Sequence, residues 1–447
     1  MDPERKMHIA IVGAGAAGLA AAWLLSRRHR VTLIEKDDRL GGHAHTAQLG
    51  ARGGPRVDTG FIVYNEPCYP NFTAWMARMN VATEASDMSF AVSRDDGRFE
   101  YAGGPPFGML AQPGLPLKRR FWRMLRDLVR FYREAPGDIP PDSTVTLGDY
   151  LQQRGYSQEF LDDHLLPFGS AVWSTSQSNM LDYPAAAFIR FCENHGLLKL
   201  TGRPQWRTVS KGSLSYVSAV HEALLAAGSR VRTDFQVSRV ERDDAGVRVL
   251  SRAGETVRAD QVVFACHADQ ALACIDQPDA LENELLSPFE YEANLAILHT
   301  DTSFLPRRRR AWCSWNYVER SGSDPARVSV SYWMNRLQNL TGDTEYIVTL
   351  NPSQPPDPAS ILRSQRYEHP VFTARTWAMQ QRLWSLQGRH RSWFCGSYFG
   401  SGFHEDAVQA GFAVAEQLGG VSRPWSLDDP SSRIVIGQRA APATVAA

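Results

Sequence analysis

The stretch His8-Ile9-Ala10-Ile11-Val12-Gly13-Ala14-Gly15-Ala16-Ala17-Gly18 decides the fold class. Its first five residues are apolar and β-rich at the centre, the pattern of a short buried strand. Gly13, Gly15 and Gly18 follow at GxGxxG spacing, and Leu19-Ala20-Ala21-Ala22-Trp23-Leu24-Leu25 reads as a helix. A second strand, Val31-Thr32-Leu33-Ile34, ends on Glu35. This is a nucleotide-binding βαβ unit. Gly13 permits the tight turn, Gly15 lets a pyrophosphate approach the backbone, and Gly18 lets helix and strand pack closely. Ala14 and Ala17 belong to the same cradle, where a helix N-terminus presents N–H groups to phosphate. Glu35, with Lys36 beside it, stands where a carboxylate accepts hydrogen bonds from an adenosine ribose. The unit alone does not separate FAD from NAD.

Outward from that stretch, the chain of 447 residues balances 48 basic against 48 acidic side chains. A net charge of zero gives no drive toward nucleic acid. Apolar residues at 43% exclude a disordered chain. Six dispersed cysteines without a CxxC pair read as reduced thiols, and no segment reaches a membrane span, so the expected location is cytoplasmic. No His/Cys group has metal-ligand spacing, and no metal is expected.

Arg39-Leu40-Gly41-Gly42-His43 follows the acidic residue, then Val57-Asp58-Thr59-Gly60-Phe61. Together these motifs resemble the flavin-containing amine oxidase superfamily. The resemblance implies FAD, held by the glycine unit, Glu35, Gly42, His43, Thr59 and Gly60, with Val237 at the adenine. Near the C-terminus, Trp393-Phe394-Cys395-Gly396 leads through Tyr398 and His404-Glu405-Asp406 into a helix beginning near Ala407 and Val408. In the family, this helix points its N-terminus at the flavin C2 carbonyl. That suits the negative charge of a reduced flavin. Asp58 to Asn65, Arg203-Pro204-Gln205-Trp206-Arg207 and Gly402-Phe403-His404-Glu405-Asp406 further resemble a bacterial branch of predicted FAD- and NAD-binding proteins. Its association with lipid methyltransferases and fatty acyl desaturation implies a lipid or other apolar substrate and a lipid methyltransferase partner.

The sequence departs from an amine oxidase in one respect. Its five lysines (Lys6, Lys36, Lys118, Lys199, Lys211) leave none where the family's active-site lysine would fall, between about Asn283 and Leu350. Arginine cannot substitute as a neutral base, because it stays protonated. His404 and Tyr398, flanking the glycine turn, are the acid–base candidates. For Glu405 and Asp406 the plain alternative is favourable charge at a helix N-terminus.

The expected architecture is α/β: a discontinuous Rossmann-type FAD domain (1–75, 201–270 and 388–425) and an α+β substrate domain from two insertions (76–200 and 271–387), with a tail at 426–447. The first insertion reads as largely helical after a Gly103 to Phe107 loop. Trp312, Trp315, Tyr317, Tyr332 and Trp333 either line an apolar tunnel or fill a sheet core. Lys118 to Glu134 places Phe121, Trp122, Leu125, Leu128, Val129 and Tyr132 on one helical face and an arginine stripe on another. It either rests on an anionic membrane, at the inner face of the cell membrane, or packs on the core. The leading expectation is an FAD-dependent oxidoreductase transferring hydride from a lipid acyl chain to flavin N5. An amine or amino-acid oxidase, a double-bond isomerase and a non-catalytic FAD-bound partner of a lipid methyltransferase are the alternatives.

Overall fold

The computed structural model describes residues 6–50, 53–103, 108–140, 143–173, 177–320 and 329–437. Residues 104–107 of the expected glycine–proline loop and residues 438–447 of the expected tail lie outside them.

Five parallel strands form one sheet, in the order Arg230–Arg232, Arg30–Ile34, His8–Val12, Gln261–Phe264, Ser392–Phe394. His8–Val12 lies at its centre, with Ile9 beside Val31 on one flank and Gln261 on the other. Both faces of such a strand are covered, which is why the run is apolar without alternation. The order is that of a doubly wound nucleotide fold, as expected. Helix Ala16–Leu25 is buried along its whole length because the C-terminal helix His404–Gly419 lies against it. A Cβ on Gly411 would stand 2.3 Å from the Ala17 carbonyl oxygen, so the two backbones approach as closely as glycine permits.

A seven-stranded sheet forms the second layer, in the order Ile361–Val371, Glu290–His299, Ile347–Leu350, Val330–Trp333, Trp315–Val318, Phe90–Arg94, Phe99–Gly103. Trp315–Val318 runs parallel to Phe90–Arg94, and that pairing joins two distant parts of the chain into one sheet. Helices Arg119–Asp138, Leu166–Trp173 and Ala185–Asn194 cover it, packing Phe121, Phe131 and Phe188 into a core separate from that of the parallel sheet.

Several expectations change here. In the first insertion helices Arg119–Asp138, Leu147–Gln153 and Ala185–Asn194 follow the Gly103 to Phe107 segment, and ahead of it lie three strands not assigned from the sequence, Thr83–Ser86, Phe90–Arg94 and Phe99–Gly103. Their partners lie far along the chain, so a short run carries little local signal. Thr83–Ser86 and Val63–Asn65 both pair with Trp206–Val209, which ties the insertion to segments read as FAD-binding. Tyr317 and Tyr332 are buried in the sheet core, and Trp315 meets Tyr332 edge-on at 4.9 Å, so these rings fill the core rather than line a tunnel. In the basic helix, Met124 and Phe131 face inward while Trp122 is exposed.

Among the described residues all six cysteines are free, and no helix is long and apolar enough to cross a membrane.

Candidate functional site

The glycine turn sits at the C-terminal end of the central strand. Gly13 has φ +103, and a Cβ there would meet the Ala265 carbonyl oxygen at 2.6 Å; one on Gly18 would lie 1.9 Å from the Gly13 carbonyl oxygen. Both glycines are therefore demanded by the protein's own packing. Gly15 differs. Its backbone is extended, at φ −73 and ψ −173, and a Cβ there would meet nothing within 4 Å. Neither conformation nor packing requires glycine at Gly15, which leaves close approach by a ligand as the physical reason.

Glu35 is buried at the end of the second strand. Its carboxylate accepts N–H bonds from Ala14 (2.8 Å), Lys36 (2.9 Å) and Asp37 (3.1 Å). Burial pushes its pKa up and these bonds oppose the rise. The Phe235 N–H donates to the Glu35 carbonyl at 2.9 Å, which sets Val237 near the same end. Gly42 has φ +56, and a Cβ on it would stand 3.1 Å from the Gly15 Cα. Arg39 donates to the Gly42 carbonyl with both Nη1 and Nη2 at 3.0 Å, bringing a cation beside the Gly15 cradle. Arg39 was not singled out from the sequence, although its place next to the Gly-Gly turn is a usable signal.

The other end of the site is held by Asp58. This fully buried carboxylate accepts from Ser213 N and Oγ, Thr46 Oγ1 and Gln338 Nε2, while its own N–H donates to Gln338 Oε1. Burial raises its pKa to about 6 against these bonds. Three distant segments are thereby tied to the backbone just before Thr59 and Gly60. A Cβ on Gly60 would be 2.2 Å from the His43 carbonyl oxygen, and Thr59 Oγ1 shares a 2.7 Å bond with the Tyr367 hydroxyl.

Four imidazoles gather around this point. The His43 ring lies 5.0 Å from Tyr367, 5.3 Å from His369 and 6.5 Å from His267. His267 stacks on Tyr291 at 4.1 Å. His404 stacks on Phe61 at 3.8 Å, its Nε2 2.8 Å from the Tyr216 hydroxyl. Burial lowers all four: His43 to about 4, His267, His369 and His404 to about 3, with neighbouring cations or imidazoles adding to the effect. All four are neutral at physiological pH. His267 belongs to this cluster; His369 and Tyr367 were not singled out from the sequence. They lie two apart on strand Ile361–Val371, so alternation puts them on one face.

Helix His404–Gly419 begins beside the cluster. Asp406 Oδ2 accepts from the N–H groups of Ser401 (3.0 Å) and Phe403 (2.8 Å), and Oδ1 accepts from Arg433 Nε at 2.6 Å. Glu405 accepts from Asn71 and Phe72, fastening the start of helix Pro70–Arg78. Both carboxylates are thus structural caps. The Ala407 N–H donates to the Phe403 carbonyl, so the donors this helix end can offer belong to residues 404–406, ahead of Ala407 and Val408. Gly396 lies at the sheet end, where a Cβ would be 2.6 Å from Tyr398 Cε1. Tyr398 is fully buried, its ring against Phe289 and Phe399. The 426–447 segment is no free tail over its described part. Arg433, its side chain 10% exposed, donates to the Cys68 carbonyl at 3.0 Å and packs over Tyr69.

A cleft of about 120 Å³ opens toward this region, lined by Trp173, Tyr183, His369, Pro370 and Phe372, with Asp182 and Glu292 also on its wall. Trp173 meets Phe403 edge-on at 6.2 Å, and Phe403 immediately precedes the helix. One wall therefore leads to the helix N-terminus and the other to the imidazole cluster. Among the described residues there is no metal-ligating group.

Residues 16–336 match the sequence profile of the flavin containing amine oxidoreductases. The chain belongs to that family. An L-amino-acid oxidase of Bungarus fasciatus is 25% identical over 292 residues, covering 59% of this chain and 51% of the relative. The chain thus spans about half the length of that relative. Two solved structures share the fold: a CLA-producing fatty acid isomerase from P. acnes (16% identity, TM-score 0.65, 94% of this chain and 99% of the other) and a cyclohexylamine oxidase from Brevibacterium oxydans IH-35A (17% identity, TM-score 0.64, 93% and 100%). As a flavin containing amine oxidoreductase, the protein uses FAD and is an FAD-dependent oxidoreductase. The residues present fit that cofactor: Gly15 leaves a cradle a Cβ would fill, Glu35 stands at the second strand's end, and His43 Nε2 is a buried nitrogen without a hydrogen-bond partner. Likeness of fold does not choose the substrate, since a fatty acid isomerase and an amine oxidase resemble the chain equally.

Proposed function

We propose that the protein oxidises an apolar, lipid-type substrate, an acyl chain, with FAD. The observation that carries this reading is the cleft, whose aromatic wall leads to the N-terminus of helix His404–Gly419 and whose one imidazole, His369, is neutral. Bound FAD supplies a two-electron acceptor for hydride. Gly13, Gly15, Gly18, Glu35 and Arg39 would hold its nucleotide end, and Gly42, His43, Thr59 and Gly60 the adjoining part. The N–H groups of residues 404–406 favour negative charge where the reduced ring carries it. Trp173, Tyr183 and Phe372 bind an apolar chain and exclude water. His404, fixed by Tyr216 and Phe61, presents a neutral imidazole that can accept a proton released beside the site of hydride loss. On the same reading, a lipid methyltransferase is the partner that would supply a branched chain.

Comparative lipid mass spectrometry of cells with and without the protein tests the proposal. One lipid class should lose two hydrogens when the protein is present. An unchanged lipid profile would contradict it, and a product of unchanged mass would favour double-bond isomerisation.

Asp182 and Glu292 support a second reading. Two carboxylates on the cleft wall suit a cationic substrate, as an amine or amino-acid oxidase requires. Hydrogen peroxide released together with an aldehyde or keto acid would identify that activity.

A further inference from the structure

Among the described residues nine large apolar side chains are exposed, and three of them fall within thirteen positions: Leu110 at 50%, Leu117 at 89% and Trp122 at 55%. Such concentration is unlike the single scattered apolar residues that a soluble surface tolerates. The exposure is built in. Leu115 anchors the short turn Leu115–Leu117 in the core, which turns Leu117 outward. The Trp122 indole N–H donates to the Pro116 carbonyl at 2.8 Å, fixing the ring beside that turn with its polar edge satisfied.

The charge around this tip is also particular. Carboxylates from other segments neutralise part of the arginine stripe: Asp163 and Asp95 take Arg120, and Glu159 takes Arg123 at 3.0 Å. Arg126 pairs with the buried Asp127. Arg98, Lys118 and Arg119 make no ion pair among the described residues, and all three are exposed. Lys118 donates to the Arg98 carbonyl at 2.6 Å, which brings these cations together next to Leu117. Three of the cations without an ion pair therefore gather where the apolar side chains protrude, and on the rest of the helix Arg133 alone is exposed without one among the described residues.

We propose that this tip, Leu110 to Trp122 with Arg98, docks on an anionic lipid surface. Leu117 and Trp122 enter the boundary between headgroups and acyl chains while Arg98, Lys118 and Arg119 lie at the level of the phosphates. A few protruding side chains at the start of a helix suit a fluid interface. A protein partner needs about 800 Å² on each side. The inference goes beyond the redox reading and does not depend on it, because its test reads binding and not turnover.

The full-length FAD-loaded protein is sedimented with vesicles of phosphatidylcholine, with and without phosphatidylglycerol, at low and high salt. Binding is expected only with the anionic lipid and should weaken as salt rises. Leu117→Ser with Trp122→Ser, and separately Lys118→Glu with Arg119→Glu, should each weaken it at least about tenfold. Both pairs should keep the flavin spectrum, which reports that they fold. Arg133→Glu, exposed near the other end of the same helix, should bind as the parent does. Equal binding to both vesicle types, no binding to either, or parental binding by both double variants would overturn the proposal. Retention on soluble heparin without binding to vesicles would assign the tip to a polyanion instead.

Discussion

Gly15 and Gly18 are three residues apart and answer to different demands. Gly18→Ala puts a Cβ into the Gly13 carbonyl and should destabilise the fold itself, by about 1–3 kcal/mol if the turn can shift and by more if it cannot. Gly15→Val meets open space, so the variant should fold with a near-parental denaturation midpoint and lose its yellow colour. A yellow Gly15→Val protein would remove the pyrophosphate from this turn. Asp58 is a similar discriminator. Its two oxygens accept from a backbone N–H, two hydroxyls and an amide, and the Gln338 amide is fixed because its oxygen already accepts from Asp58 N. Asp58→Asn places a donor where only donors point. The expected cost is about 1–3 kcal/mol by urea denaturation, with weaker FAD retention through Thr59 and Gly60. The glycine turn was legible in the sequence because turn chemistry is local. Arg39 and Asp58 were not read as holding the site, since their roles depend on contacts that only the folded chain brings together.

The C-terminal helix shows how an element can be identified correctly while its individual residues are assigned to different tasks. A C-terminal helix beginning near Ala407 was expected, and packing of Gly411 on Ala17 sets it against helix Ala16–Leu25. Its carboxylates turn out to fasten the structure: Glu405 holds the start of helix Pro70–Arg78, and Asp406 is paired with Arg433. Arg433→Ala leaves Asp406 buried without its cation and should cost about 3–5 kcal/mol, releasing the segment after residue 425 to proteolysis. A variant as protease-resistant as the parent would contradict that role. Helical periodicity grouped Trp122 with Phe121 and Leu128 on one apolar face; in the fold Phe121, Met124, Leu128 and Phe131 are buried and Trp122 is exposed. The strands that deliver Tyr367, His369 and Tyr291 to the site pair over long sequence distances. Alternation marks which residues share a face and does not say what that face will meet.

Across the molecule, eight buried or half-buried histidines (His43, His45, His164, His195, His267, His299, His369 and His404) have pKa values held at about 3 or 4 by desolvation. Each is neutral in the fold and protonates near 6.5 once unfolded, so the unfolded chain binds more protons below that pH. Stability should be full above about pH 6.5 and fall as the pH drops toward 4. Asp58, raised to about 6, acts in the opposite direction, as do Glu35, Glu193, Asp269, Glu405 and Asp406, whose carboxyls burial also pushes up, so six carboxylates oppose eight imidazoles. A thermal midpoint that rises or holds steady between pH 7 and pH 5 would contradict the burial of these imidazoles. The same desolvation underlies the functional proposal, because Trp173, Tyr183, Phe372 and the neutral His369 give the cleft a wall that favours an apolar chain. The most direct measurement is anaerobic titration of the purified yellow protein, followed through the visible flavin absorption. Methyl-branched or unsaturated acyl lipids should bleach the flavin and amines should not; bleaching by amines alone would contradict the account.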